Sequence, residues 1–142
     1  MRIDRSRLDH GYFAHRFEIG TRFSDMDKVG HVNNVAIADL LQEGRNRFIY
    51  ALGLINAAPA GLVVAAMNIE FAGDVFHPAP VSIEVGVLDI GRSSFRIAEV
   101  IHQNGRAAVY AEVVQVGRGS NGVTSLPDAW RPLLEQARIA PA

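Results

Sequence analysis

The chain contains no cysteine. That absence removes disulfides, thiolate nucleophiles and cysteine-based metal sites together, and it fits a reducing compartment. No apolar run approaches the roughly 18 residues that a membrane helix needs. The opening residues, Met1-Arg-Ile-Asp-Arg-Ser6, have no apolar stretch of the kind found in a secretory leader. A cytoplasmic protein with no membrane partner is therefore expected. Nor is there a surplus of positive charge: the formal net charge is -1, so a nucleic-acid partner is not expected. The G-x-S-x-G pattern of a nucleophile elbow is missing. The histidines His10, His15, His31, His77 and His102 are scattered, with no pair at ligand spacing on a helix, so no metal is expected.

What is present suits a globular protein. The 142 residues fit one domain, 1–142, with 49% hydrophobic and 20% charged residues. Residues 13–23 alternate, with Phe13, His15, Phe17, Ile19, Thr21 and Phe23 on one side, and predict a half-buried strand. From Asn34 the period becomes helical. Ile37, Leu40, Leu41, Gly44, Phe48, Ala51 and Leu52 share a face, opposite Asp39, Gln42, Glu43, Asn46 and Arg47. Asn33 or Asn34 can cap the start of this helix, and Gly53 can end it. A glycine inside a helix costs about 1 kcal/mol relative to alanine, so Gly44 points to close packing on a sheet.

Four strand-like runs follow. In 62–71 the alternation places Val63, Ala65, Met67, Ile69 and Phe71 on one side, and 81–90 alternates through Val81, Ile83, Val85 and Val87. Runs 93–103 and 106–116 flank Asn104-Gly105, a two-residue hairpin signal. The last two strands are apolar on both sides, which predicts cover from a second subunit. Residues 126–138 predict a short helix, with Ser125 and Asp128 spaced like a capping box. The order is strand, long helix, four strands, short helix. This is an α+β architecture, an antiparallel sheet wrapped around one long central helix.

Chemistry concentrates in Ser24-Asp-Met-Asp-Lys-Val-Gly-His-Val-Asn-Asn34. Acidic side chains, a histidine and carboxamides share a loop that ends at a helix start. Unpaired N–H groups and the positive end of the helix dipole collect there. Such a terminus can polarise a carbonyl, and a carboxylate at its mouth can attack or activate water. Gly30 would allow close backbone approach to a ligand. The same residue types are also ordinary turn and cap formers, and physics alone leaves both readings open.

The run Asp25-Met-Asp27-Lys-Val-Gly30-His31-Val32-Asn33-Asn34, set between a first strand and a long helix, resembles the hotdog-fold acyl-CoA thioesterases of the 4-hydroxybenzoyl-CoA thioesterase-like group. It is also similar to the plant acyl-carrier-protein thioesterases. The turn Gly91-Arg-Ser-Ser-Phe95, the strand order and the C-terminal Leu-Pro helix extend the likeness over 12–134. The resemblance implies a hotdog fold and thioester hydrolysis. It implies that Asp27 is the nucleophile or general base and that the Asn34 peptide N–H polarises the carbonyl. It gives His31 a catalytic or positioning role and Asn33 a capping or pocket-lining one. Substrate-binding roles are expected for Gly30, Asn33, Arg92, Ser93 and Ser94. Arg92, with Lys28 next, would meet the phosphates of coenzyme A, which enters as part of the substrate, so no separate cofactor is expected. A homodimer, or a tetramer built from it, is expected, with the cleft between subunits.

The chain departs from its likenesses at Val29, where the plant-type pattern has asparagine, and at Ala36 and Ile37, where many relatives carry an aromatic residue. Asp25 is the rival carboxylate, for which hydrogen bonding within the loop is expected. Glu43 matches a helix glutamate used by another hotdog class, although an i,i+4 pair with Arg47 is expected instead. Gly117-Arg-Gly119-Ser-Asn-Gly122 fits G-x-G-x-x-G, but too little chain follows it for a βαβ unit. A hydratase or dehydratase of the same fold would need an Asn-Pro-x-His arrangement that is missing here. An acyl-thioester binding module without catalysis is the other alternative.

Overall fold

The computed structural model describes residues 2–54 and 61–141. In chain order, its elements are α1 (Arg5–Asp9), β1 (Gly11–Tyr12), β2 (His15–Ile19), a 3-10 turn (Phe23–Asp25) and α2 (Asn34–Ala51). They continue with β3 (Gly61–Phe71), β4 (Val81–Ile90), β5 (Ser94–Gln103), β6 (Arg106–Gly119), β7 (Gly122–Val123), α3 (Trp130–Gln136) and β8 (Ala140–Pro141). The main sheet is antiparallel in the order β2-β4-β5-β6-β3, with β7 paired to β6, while β1 and β8 form a separate small ribbon. Asn104 and Gly105 both take positive φ, 53° and 77°, as a tight β5–β6 hairpin requires.

Alternation decides what each face of the sheet meets. Val81, Ile83, Val85 and Val87 of β4, Ile97 and Ile101 of β5, and Val109, Ala111 and Val113 of β6 are fully buried beneath α2 with Leu41 and Phe48. Each of these Val, Ile, Leu and Phe side chains contributes about 1.5–3 kcal/mol. Gly44 is what brings α2 this close: a Cβ there would lie 2.9 Å from Ile83 Cγ2 and 3.3 Å from Ile83 Cβ. The helix stops in a Schellman turn. Gly53 (φ 80°) donates to the Tyr50 carbonyl and Leu54 donates to that of Ile49.

The structure departs from the sequence-based expectations in four places. The expected strand 13–23 is only β2, because β4 begins at Val81, opposite Ile19, and leaves nothing further to pair with. Phe23 is 79% exposed in the 3-10 turn. In β3 a bulge at Ala65 shifts the register between Val64 and Ala66. Residues opposite one another in a ladder share a face. Leu62, Val64, Met67, Ile69 and Phe71 therefore lie on the helix side, and Val63 is turned to the other.

The second apolar face of β5 and β6 is covered by the chain itself, not by a partner. Ala98, Val100 and Tyr110 pack against Ile3, Leu8, Phe13 and Ile139. This N-terminal strap is tied down by the Ile3 N–H and the Arg5 side chain, both bound to Glu70, and by the Tyr110 hydroxyl, which donates to Asp9. Burial, reinforced by Asp9, pushes the Tyr110 phenol up to about 12. Finally, Ser125 and Asp128 form no capping box: α3 starts at Trp130 without a side-chain cap, and Ser125 Oγ accepts from Arg92 instead.

A methyl at position 44 has no room. Gly44→Ala is expected to lose about 1–2 kcal/mol in urea unfolding, because overpacking against Ile83 outweighs the gain in helix propensity. A more stable Gly44→Ala protein would show that the helix does not depend on this close approach.

Candidate active site

Two aspartates organise the loop between β2 and α2, in different ways. Asp25 is 3% exposed. Its carboxylate accepts the Arg22 backbone N–H (2.9 Å) and two bonds from the Arg22 guanidinium (2.8 and 3.1 Å), and Arg22 reaches on to Asp39 at the helix (3.4 Å). Burial alone would raise the Asp25 carboxyl. The Arg22 bonds and charge outweigh it and hold the group below the ordinary carboxylate range. The Asp25 carbonyl then accepts from both the backbone N–H and the side-chain amide of Asn33, each at 2.9 Å. Asn33 turns its Oδ1 to the Ala36 N–H (2.9 Å) and caps α2. Asp25 and Asn33 thus set the direction of the helix start.

Asp27 is exposed. Its backbone N–H donates to the His31 carbonyl (2.7 Å), and its Oδ1 accepts the N–H groups of Val29 (2.9 Å) and His31 (3.1 Å). Gly30, at φ 86°, allows the tight return. One carboxylate oxygen therefore shapes the loop, while Oδ2 makes no hydrogen bond among the described residues. Lys28 is exposed in the same turn.

The His31 ring packs edge-on against Phe76, with centroids 5.0 Å apart, and its Nδ1 lies 3.6 Å from Asp74. The Val32 N–H donates to the Val75 carbonyl (2.7 Å), fastening the loop to the chain that leads into β4. With Asn33 serving Ala36, the first helical N–H groups, those of Asn34 and Val35, have no acceptor inside the helix. Beside this helix start lies a hollow of about 440 Å³ lined by Arg22, Asn33, Val35, Ala36 and Met67.

The structure brings Asp27, Gly30, His31, Asn33 and Asn34 together but separates them from Arg92, Ser93 and Ser94. The loop docks on the Gln103 end of β5, where Phe76 exchanges hydrogen bonds with the Gln103 amide. Ser94 begins the same strand, about 30 Å away at the rise of an extended chain. There Arg92 Nε donates to Ser125 Oγ (3.3 Å), and the Arg131 side chain donates to the Gly91 and Arg92 carbonyls. Glu43 pairs with Arg47 at 2.7 Å, as expected of exposed i,i+4 neighbours.

Arg45 and Glu99 escaped sequence reasoning. Both are buried, at 3% and 0% exposure, and joined Nη1 to Oε1 at 3.1 Å between α2 and β5. Burial pushes the Glu99 carboxyl up to about 8 against the pull of Arg45. The signal was available: Glu99 interrupts the inward series Phe95, Ile97, Ile101, and Arg45 follows Gly44 on the packed side of the helix.

The thioesterase-like superfamily model matches residues 21–136. Among solved structures, a protein from Bacillus stearothermophilus named as a predicted thioesterase shares 26% identity over 89% of this chain and 98% of its own, with a TM-score of 0.81. A thioesterase from Thermus thermophilus, complexed with coenzyme A and Zn, shares 26% identity over 88% of this chain and 95% of its own, with a TM-score of 0.80. A Pseudomonas aeruginosa protein matches at 22% identity over 92% of this chain and 95% of its own, with a TM-score of 0.82, a likeness of fold. The sheet wrapped around α2 is the hotdog fold. No curated protein was found to match the chain. No helix among the described residues is long and apolar enough to cross a membrane.

Asn33→Ala should cost about 1–2 kcal/mol by urea unfolding, the range for a lost N-cap, while Asn33→Asp should recover only part of that, because a carboxylate keeps the bond from Ala36 but cannot donate to the Asp25 carbonyl. Asp25 also predicts a pH signature. Its folded pKa is depressed, so its contribution is complete above the unfolded value of about 3.9 and is lost as pH falls through the folded value. Asp25→Asn should flatten the acid limb of the stability–pH curve. An unchanged limb would remove Asp25 from the role of hub.

Proposed function

The chain belongs to the thioesterase-like superfamily and is a thioester-hydrolysing enzyme, and we propose that its substrate is an acyl-CoA, cleaved to free acid and thiol with Asp27 as general base or nucleophile. What carries this reading is one juxtaposition: the exposed Asp27 carboxylate, with an uncommitted Oδ2, stands in the loop that delivers the open N–H groups of Asn34 and Val35. The Asn34 N–H donates to the thioester carbonyl and stabilises the oxygen as charge builds on it. Either Asp27 Oδ2 takes a proton from water as the water attacks and the thiolate leaves, or it attacks the carbonyl itself, expels the thiolate, and water then cleaves the mixed anhydride to free acid and regenerates the carboxylate. The His31 ring is engaged by Phe76 and Asp74, and in this reading it positions the loop through its backbone bonds with Asp27.

A second copy completes the site. β3 is an edge strand with Val64 (43% exposed), Met67 (40%) and Phe71 (53%) uncovered on the helix side. Antiparallel pairing of two β3 edges would satisfy their free backbone groups. It would also bring the partner's Arg92, Ser93 and Ser94 to the end of the sheet where Asp27 stands. That removes the 30 Å separation within one chain and gives the coenzyme A phosphates a guanidinium.

The test is thiol release from a panel of acyl-CoAs by wild type and Asp27→Asn. Asparagine retains an Oδ1 for the Val29 and His31 N–H groups, so folding should hold, while kcat is expected to fall by about 10²–10⁴. Equal turnover by the folded variant would overturn the assignment. Wild-type activity on acyl-carrier-protein esters alone would move the carrier and leave the chemistry standing. Separately, Met67→Lys should shift sedimentation from dimer to monomer and abolish turnover; an active monomer would sink the shared site.

A further inference from the structure

Beyond the helix start, a second hollow of about 240 Å³ opens between α2 and β3. It shares Gln42 and Arg45 with the first, so the two are neighbours along the helix. Ile49, Leu62 and Val64 line its sides, as an acyl pocket requires. Its floor is different. Arg45 and Gln115 line it at 3% exposure each, joined by Trp130 at 2%.

Among the described residues the Arg45 guanidinium makes one hydrogen bond, to Glu99, and the Gln115 amide makes none, so both leave polar capacity facing the hollow. Trp130 Nε1 is buried without an acceptor among the described residues. Buried donors are nearly always paired in folded proteins. A hydrocarbon in this hollow would strip water from Arg45 and Gln115 and return nothing, whereas an oxygen acceptor would complete them.

Position suits the far end of a substrate. Arg45 lies about three helical turns beyond Asn34, or about 16 Å along α2. An acyl chain whose carbonyl sits at the Asn34 N–H and which runs along the helix would present its distal end to Arg45 and Gln115.

We propose that the enzyme is selective for acyl groups that carry an oxygen acceptor at the end distal to the thioester, received by Arg45 and Gln115 on the floor of this hollow. The inference rests on the thioesterase reading and adds a substrate class to it. Hydroxyl, oxo and carboxylate termini share the required chemistry.

The experiment measures kcat/KM for sets of CoA esters of matched length, from medium-chain up to acyl groups long enough to span the distance of about 16 Å from Asn34 to Arg45: plain acyl, ω-hydroxyacyl and ω-carboxyacyl. Wild type is expected to favour at least one oxygenated member over the plain acyl ester by about tenfold or more. Preference for the hydroxyl or for the carboxylate then identifies which source of oxygen the floor accepts. Gln115→Leu and Trp130→Phe are expected to shrink that ratio, chiefly through KM. Should neither variant fold, the wild-type ratio decides alone. Plain esters hydrolysed as well as their oxygenated partners would overturn the proposal and leave the thioesterase reading intact. No turnover of any thioester, on coenzyme A or on carrier protein, would overturn both.

Discussion

The close approach of α2 to the sheet at Gly44 and Ile83 is the constraint on which the rest of the molecule depends. A helix of 18 residues has to lie flat against a concave antiparallel sheet, and the depth at which it settles is set where a side chain would otherwise hold it off. At that depth Leu41 and Phe48 reach the β4 and β5 valines and isoleucines. Arg45, the next residue along, is carried down to Glu99 on the same strand layer. The helix is thereby fixed in height by a glycine and in register by the buried, hydrogen-bonded Arg45–Glu99 pair. A buried pair of this kind adds little net stability compared with apolar packing, but it is costly to break. It resists rotation of α2 about its own axis, and rotation would change which N–H groups face the loop.

From this fixed helix the candidate site follows. Its first turn has to meet the chain arriving from β2, and Asp25 makes the joint. Its carboxylate closes back on Arg22, its carbonyl receives Asn33, and Arg22 extends to Asp39 on the helix. All the partners of Asp25 are structural, and its ionised form is stabilised by them. Asp27, two residues later, spends only Oδ1 on the loop. The rigid carboxylate thus frees the other from holding the helix. An acyl-transfer site needs both: donors that do not move as charge develops, and a carboxylate able to exchange partners with water or substrate.

Much of this was legible in the sequence because the relevant forces are local. Helical period from Asn34, Asn33 as cap, Gly53 as stop and Asn104-Gly105 as hairpin all depend on neighbours within a few residues, and each stands where expected. Gly44 was readable as a mark of close packing, although its contact, Ile83, lies far along the chain. What escaped was non-local. The bulge at Ala65 depends on how β3 meets β6 and reverses the face of Val63. The cover over Tyr110 comes from Ile3, Leu8 and Ile139, which carry little periodic signal of their own. The separation of Arg92 from Asp27 follows from strand direction alone: a turn at one end of β5 and a loop at the other can both belong to a family pattern and still never meet within one chain.

The Arg45–Glu99 pair joins the two halves of this account. A fold that only had to bury α2 would place apolar residues at both positions, as it does at Phe95, Ile97 and Ile101 on either side of Glu99. Instead it desolvates a charge, leaves Trp130 Nε1 buried without an acceptor among the described residues, and sets the Gln115 amide in the same groove. Such an arrangement is unfavourable in the empty protein and becomes favourable when a ligand supplies the missing acceptor, which is how buried polar groups convert stability into selectivity. The interaction that holds the helix in register therefore also gives its groove a polar end. The proposed carbonyl-binding and recognition ends are fixed relative to each other because one rigid helix carries both.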